Sequence, residues 1–184
     1  MATKKKILDS ATRLLQSRSY AGFSFQDIAN EVGIRKASIY SHFPSKEELA
    51  REVLESSLRV FERETVGQEQ RSAQTQLEHV LSLFRRLSMG GERMCPGGSF
   101  ASVWSSTSPR LQAAVLEFTN FQLDLIEGLV KQGRAEGSFK LSDVTPAQQA
   151  VLIMSNIQGA LLMARITGKS RILDLAIDRI QAEL

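Results

Sequence analysis

Apolar residues in this chain recur almost everywhere at spacings of three and four, and the alternation of a half-buried strand is nearly absent. Ile7, Ala11, Leu14 and Leu15 form one stripe behind Thr3, a suitable N-cap, and Gly22 breaks it. Ser24 with Asp27 makes an approximate capping box for a short helix that turns Phe25, Ile28, Ala29 and Val32 inward, and Gly33 ends it. A second short helix starts near Arg35-Lys36 and runs to about Phe43, where Pro44 stops the chain. Ser45 with Glu48 is a further capping box, opening a longer helix through Leu49, Val53, Leu54, Leu58 and Phe61.

Beyond a polar stretch at 67–72, Leu77, Val80, Leu81, Phe84 and Leu87 repeat at helical spacing. Gly90-Gly91 and Pro96-Gly97-Gly98 interrupt, followed by a short segment with Phe100, Val103 and Trp104. Ser108-Pro109 starts a helix that ends at Gly133 or Gly137. Thr145-Pro146 with Gln148 opens another, closed by Gly168, and Ser170 starts the last. The expected fold is all-α, with about nine helices and no sheet.

The 184 residues are 42% apolar and 23% charged, enough to bury a core and unlike collagen, disordered or disulfide-stapled chains. Cys95 is the single cysteine, and His42 and His79 stand 37 positions apart, so no zinc-ligand spacing exists. Neither a metal nor a cofactor is expected. The basic start, Met1 to Lys6, lacks the apolar core of a secretory signal, which with the lone thiol points to the cytoplasm. Residues 145–164 hold no charge, but Pro146, Gln148, Gln149, Ser155, Asn156 and Gln158 suit a helix enclosed by protein on two sides better than a membrane span.

Charge is unevenly placed. Residues 1–46 carry eight Lys/Arg against three acids, whereas the remainder carries 15 against 17. A concentrated positive segment is what a polyanion-binding module needs. Within it, 25–43 reads as helix, tight Gly33-Ile34 turn and helix, the geometry that places its second helix in a DNA major groove. Ile39, Tyr40 and Phe43 can pack on Ile28 and Val32, which leaves Arg35, Lys36, Ser38, Ser41 and His42 outward as donors for base edges and phosphates. Ala37 is small enough to let the backbone approach the groove, and Lys46 can meet a phosphate beside its helix N-terminus.

The run Phe23-Ser24-Phe25-Gln26-Asp27-Ile28-Ala29 through Tyr40-Ser41-His42-Phe43 to Lys46-Glu47-Glu48-Leu49 closely resembles the DNA-binding domain of TetR-family transcriptional regulators. The resemblance covers roughly residues 4–55; beyond it, only the helix count matches. Arg35 stands where that family often has a small hydroxyl residue, and Ala37 where glycine is frequent, which bears on the target sequence rather than the binding mode. It implies phosphate contacts from Ser24, Lys36, Tyr40, His42 and Lys46, with Arg35, Ala37, Ser38 and Ser41 facing bases. For Tyr40 two roles stay open: a core ring, or a hydroxyl that reaches DNA.

The resemblance divides the chain into a DNA-binding domain at 1–50 and a ligand-binding and dimerisation domain at 51–184. One module makes too few contacts for genomic selectivity, so a homodimer on a palindromic operator is expected. Its interface would use Gly159, Ala160 and Met163, with Ile172, Ala176, Ile177 and Ile180 from the last helix. The family also implies a pocket for a small-molecule inducer, here Cys95, Phe100, Trp104, Phe118, Phe121, Gln122 and Gln158, with Asn120 and Asn156 as further polar candidates. Cys95 is either a small core residue or a sensing thiol.

The function expected is that of a ligand-responsive transcriptional regulator, a repressor released by a small-molecule inducer. The alternative is a helical adaptor or sensor whose helix-turn-helix no longer binds DNA. Enzymatic activity is not expected, since paired carboxylates, a Ser-His-Asp set and a phosphate loop are all missing from the sequence.

Overall fold

The computed structural model describes residues 2–68 and 70–184. Among them there are eight α-helices and no strand: α1 (Ala2–Arg18), α2 (Phe25–Val32), α3 (Lys36–Tyr40), α4 (Lys46–Thr65), α5 (Ala73–Ser88), α6 (Pro109–Glu136), α7 (Pro146–Thr167) and α8 (Arg171–Glu183). Two single-turn 3-10 helices (Tyr20–Gly22 and Met89–Gly91) and a longer one (Gly98–Ser106) connect them. The all-α expectation holds. Thr3 lies within α1 instead of capping it.

Two compact units divide the chain, and neither is continuous in sequence. The first joins Met1–Arg59 to Pro96–Phe118, and the second joins Val60–Cys95 to Thr119–Leu184. A division at residue 50 therefore misses the segment that returns to the N-terminal unit. That unit is built on fully buried apolar residues: Ile7 and Leu15 from α1, Ile28 from α2, Ile39 from α3, and Leu49 and Leu54 from α4. The returning segment adds Phe100 at 0% and Leu111 at 1% exposure, which places it in the core of this unit.

The second unit rests on the α7–α8 pair, its most extensive helix contact, with α5 also against α8. Ala150, Ile153, Met154, Ile157, Leu161 and Ala164 bury one face of α7, while Leu173, Ile177 and Ile180 bury one face of α8. Thr145 and Gln148 form the reciprocal capping box of α7, and Gly168 closes it in the left-handed region at φ 67°. On α5, Arg85 donates to Asp174 (3.0 Å) and Asp178 (2.9 Å), one helical turn apart on α8.

Of the two expected ends of α6, Gly137 is the stop, at φ 74° after Glu136. Gly133 serves packing instead. A Cβ there would lie 2.1 Å from the Phe139 ring, so only glycine lets that ring fold back on the helix.

Candidate nucleic-acid interface

The DNA-facing geometry begins with local chemistry in α2. The Ser24 amide donates to Asp27 Oδ2 at 2.8 Å, and the Asp27 amide donates to Ser24 Oγ at 3.3 Å. Both bonds satisfy amides that the helix start leaves unpaired. The Ser24 hydroxyl also donates to Asp27 Oδ2 (2.6 Å), and these bonds hold the Asp27 carboxyl below its ordinary pKa, helped by Arg18. Gly33 then takes φ 75°, and its amide and that of Ile34 both donate to the Ala29 carbonyl at 3.0 Å, turning the chain into α3.

With five residues, α3 has little helix stability of its own and is held by one buried anchor, Ile39, at 0% exposure. Phe43, at 1%, anchors the turn that follows. Arg35, Lys36, Ala37, Ser41 and His42 are exposed, and Ser38 is half-buried. Tyr40 divides between its two expected roles: it is 51% exposed, yet its ring stands edge-on to Phe25 with centroids 5.0 Å apart.

The acids of this module are engaged elsewhere. Glu31 accepts from Arg13 Nε (3.0 Å) and Ser10 (2.7 Å), Lys4 pairs with Glu52 (2.7 Å), and Lys5 with Asp9 (2.6 Å). Arg18 reaches Asp27, and Glu48 is shared by Arg51 and Arg110. Among the described residues, Arg35, Lys36 and His42 have no acidic partner. Two of the cations left without an acidic partner, Arg35 and Lys36, therefore stand at the start of α3.

Two residues expected at phosphates are otherwise occupied. Ser24 spends its hydroxyl proton on Asp27. The Lys46 ammonium donates to the carbonyls of Tyr20 and Phe23, inside the unit rather than out toward solvent.

The residues expected around an inducer fall in both units. Phe100 (0% exposed), Phe118 (2%) and Trp104 (37%) belong to the first, and Trp104 is too exposed to line an enclosed pocket. Cys95 (1%), Gln122 (2%), Phe121 and Gln158 belong to the second, where the burial of Cys95 is that of a small core residue. Phe61 bridges Phe84 and Phe121, with centroids at 5.9 and 6.2 Å. Asn120 and Asn156 are exposed and line no interior.

The expected interface set also needs correction. Ala160, Ile177 and Ile180, at 5%, 0% and 4% exposure, are committed to their own core, and Ile172 and Ala176 are half-buried. Gly159 and Met163 are exposed, on a stripe of α7 whose other members sequence reasoning missed: Val151, Leu152, Leu162 and Ile166, with Leu175 at 70% exposure on α8. Their spacing of three and four was visible, but α7 is apolar on every side, so periodicity could not choose the open face. By length and composition α7 is also apolar enough to cross a membrane, with 39% of its most apolar window buried within the protein.

A capped helix-turn-helix with Arg35 and Lys36 exposed at the start of its second helix has the geometry of a DNA-binding module. Residues 7–53 match the family described as bacterial regulatory proteins, tetR family. The biofilm operon icaADBC HTH-type negative transcriptional regulator IcaR of Staphylococcus epidermidis is 40% identical over 58 residues, 32% of this chain and 31% of that one. That match therefore spans about a third of the relative. The HTH-type transcriptional repressor DhaR of a Mycobacterium species is 22% identical over 93% of this chain and 86% of its own. A TetR transcriptional regulator from Legionella pneumophila superposes with a TM-score of 0.87 at 26% identity, covering 98% of this chain and 96% of that one. A TetR-family regulator from Agrobacterium tumefaciens gives 0.92 at 23% identity, over 100% and 97%. Residues 7–53 therefore carry the DNA-binding module of that family, and the whole chain shares its fold with TetR regulators.

Proposed function

We propose that this regulator is a repressor that acts as a homodimer on a two-fold operator and leaves it when a small molecule binds the second unit. The supporting observation is the set of exposed bases on α3 and its flanks, Arg35, Lys36 and His42, beside the small polar Ser38 and Ser41, without carboxylates to neutralise them. Arg35, Ala37, Ser38 and Ser41 face base edges, while Lys36, Tyr40 and His42 meet phosphates. The exposed apolar stripe of α7 is the natural place for a second copy, since a patch of this kind on a water-soluble surface calls for a cover. Gly159 lies at the middle of the stripe with open space around its Cα, which lets two helices approach closely.

For the inducer, the buried amide Gln122 and the Gln158 Oε1 atom, buried and without a hydrogen-bond partner, supply polar contacts among apolar side chains. A neutral, weakly polar ligand with a donor for Gln158 suits them. Thermal-shift screening of such compounds tests this: stabilisation lost in Gln158→Leu is expected, and stabilisation that persists there assigns the ligand elsewhere.

The DNA reading is tested by recovering duplexes from a random library and measuring affinity across salt concentrations. Selective binding that falls steeply with salt is expected, and Lys36→Ala should reduce the slope by about 0.9 for each phosphate contact removed. Equal binding to random and recovered duplexes at every salt concentration rejects the proposal.

A further inference from the structure

Lys46 occupies an unusual position for a cation on a DNA-binding module. Its ammonium, half-buried in the first turn of α4, donates to the carbonyls of Tyr20 and Phe23, 26 and 23 residues earlier. The rings of the same two residues close over it, with centroids 4.6 and 4.4 Å from Nζ. Burial pushes the ammonium below the ordinary lysine pKa, against an opposing effect of Asp27.

Three segments distant in sequence meet here. Phe23 directly precedes Ser24, the N-cap of α2, so holding its carbonyl fixes the peptide from which α2 starts. The Tyr20 ring packs against Phe100 at 5.0 Å, which joins the 98–106 helix to the same cluster. Beside Lys46, Glu47 accepts from Ser108 (2.6 Å) and Glu48 pairs with Arg110, which ties the start of α4 to the start of α6. Two of the three ammonium donors are consumed by carbonyls, and swinging Lys46 out to a phosphate would strand both.

We propose that Lys46 is a positioning residue for the helix-turn-helix, an internal clasp that sets residues 20–23 and thereby the start of α2, and not a phosphate ligand. The proposal rests on the DNA-binding function stated above. It also assigns Tyr20 the role of joining the clasp to Phe100.

The test uses the whole protein and a duplex recovered from a random library by the unmodified chain, with affinity measured across salt concentrations well below the unfolding temperature. Lys46→Met is expected to bind about tenfold more weakly with its salt slope unchanged, as suits the loss of charge-assisted hydrogen bonds within the protein. Lys46→Arg should weaken binding similarly, because the broad guanidinium does not fit a clasp made for an ammonium, whereas a phosphate contact would tolerate it. Tyr20→Leu, which keeps both carbonyls but loses the ring over the ammonium and its packing on Phe100, should weaken binding less than Lys46→Met. The double variant should be no weaker than Lys46→Met alone, and Tyr20→Phe should bind normally.

A slope lowered by about 0.9 per lost contact in Lys46→Met would overturn the proposal in favour of a phosphate ligand. So would normal affinity in Lys46→Arg, or additive effects in the double variant. If Lys46→Met only lowers the unfolding temperature and binds normally, the clasp serves stability alone and the proposal fails. If the unmodified protein recovers no duplex, it is the DNA-binding function that fails, a distinct result.

Discussion

The helix-turn-helix and the α7–α8 pair both consist of short-range helical signals and apolar anchors, yet they constrain their own faces very differently. In α2 and α3 each helix is brief, the ends of α2 are marked by its capping box and Gly33, and polar residues occupy one side, so burying Ile28 and Ile39 decides what faces outward. Along α7, apolar side chains surround the axis, and packing on α8 and on the Met89–Gly91 turn distinguishes the inner side from the outer. Gly159 and Ala160 are adjacent in sequence, one exposed and the other 5% exposed. Where polarity already breaks the symmetry of a helix, the sequence determines its orientation; where it does not, tertiary contacts do.

The sharpest challenge to this contrast is Ile177→Ala, which removes a side chain at 0% exposure from the α7–α8 seam. Urea denaturation should show a loss of about 2–5 kcal/mol. A loss within experimental scatter would mean that the seam is not core. On the outer side of the same pair, Ile166→Glu should keep the far-UV helical signal but shift sedimentation from dimer toward monomer. About 2 kcal/mol of association is expected, roughly thirtyfold in dissociation constant. An unchanged dimer would place the interface elsewhere.

Smaller effects belong to the N-terminal unit. Gly33→Ala meets no neighbouring atom within 4 Å but must adopt φ 75°, so it should cost about 1–2 kcal/mol of unfolding free energy. A neutral outcome would show that the turn adapts. The smallest effect concerns Glu31. Burial raises its pKa, but the Arg13 and Ser10 hydrogen bonds and the neighbouring arginine charges outweigh that and hold it below the ordinary 4.5. A folded pKa below the unfolded one gives stability that is present above 4.5 and is lost as pH falls through the folded value. Glu31→Gln should therefore flatten the acid limb of the stability profile, and an unaltered limb would assign that limb to other carboxylates.

Much of the fold was legible because it is written locally. The Ser24–Asp27 and Thr145–Gln148 boxes, the left-handed Gly33 and Gly168, and the Ser108-Pro109 start each involve residues within a few positions. The Ser45–Glu48 box is only half realised: the Glu48 amide donates to Ser45 Oγ at 3.1 Å, but its carboxylate is drawn to Arg51 and Arg110. The exposed α3 set was equally readable from periodicity and charge. Lys46 was not, because its partners lie more than twenty residues upstream and its residue type alone suggests a surface cation. Among the aromatics expected around an inducer, the sequence could not separate core from surface for a related reason, since aromatic identity does not reveal that Trp104 is 37% exposed while Phe100 is sealed.

The return of residues 96–118 to the N-terminal unit bears on anyone who wishes to build hybrid regulators from this scaffold. A graft of the first fifty residues onto a foreign sensor would arrive without Phe100 and Leu111, leaving the Tyr20 ring bare on one side. Transplanting the N-terminal unit intact requires a second insert and additional splice points, or a host whose own corresponding stretch is shaped to replace it.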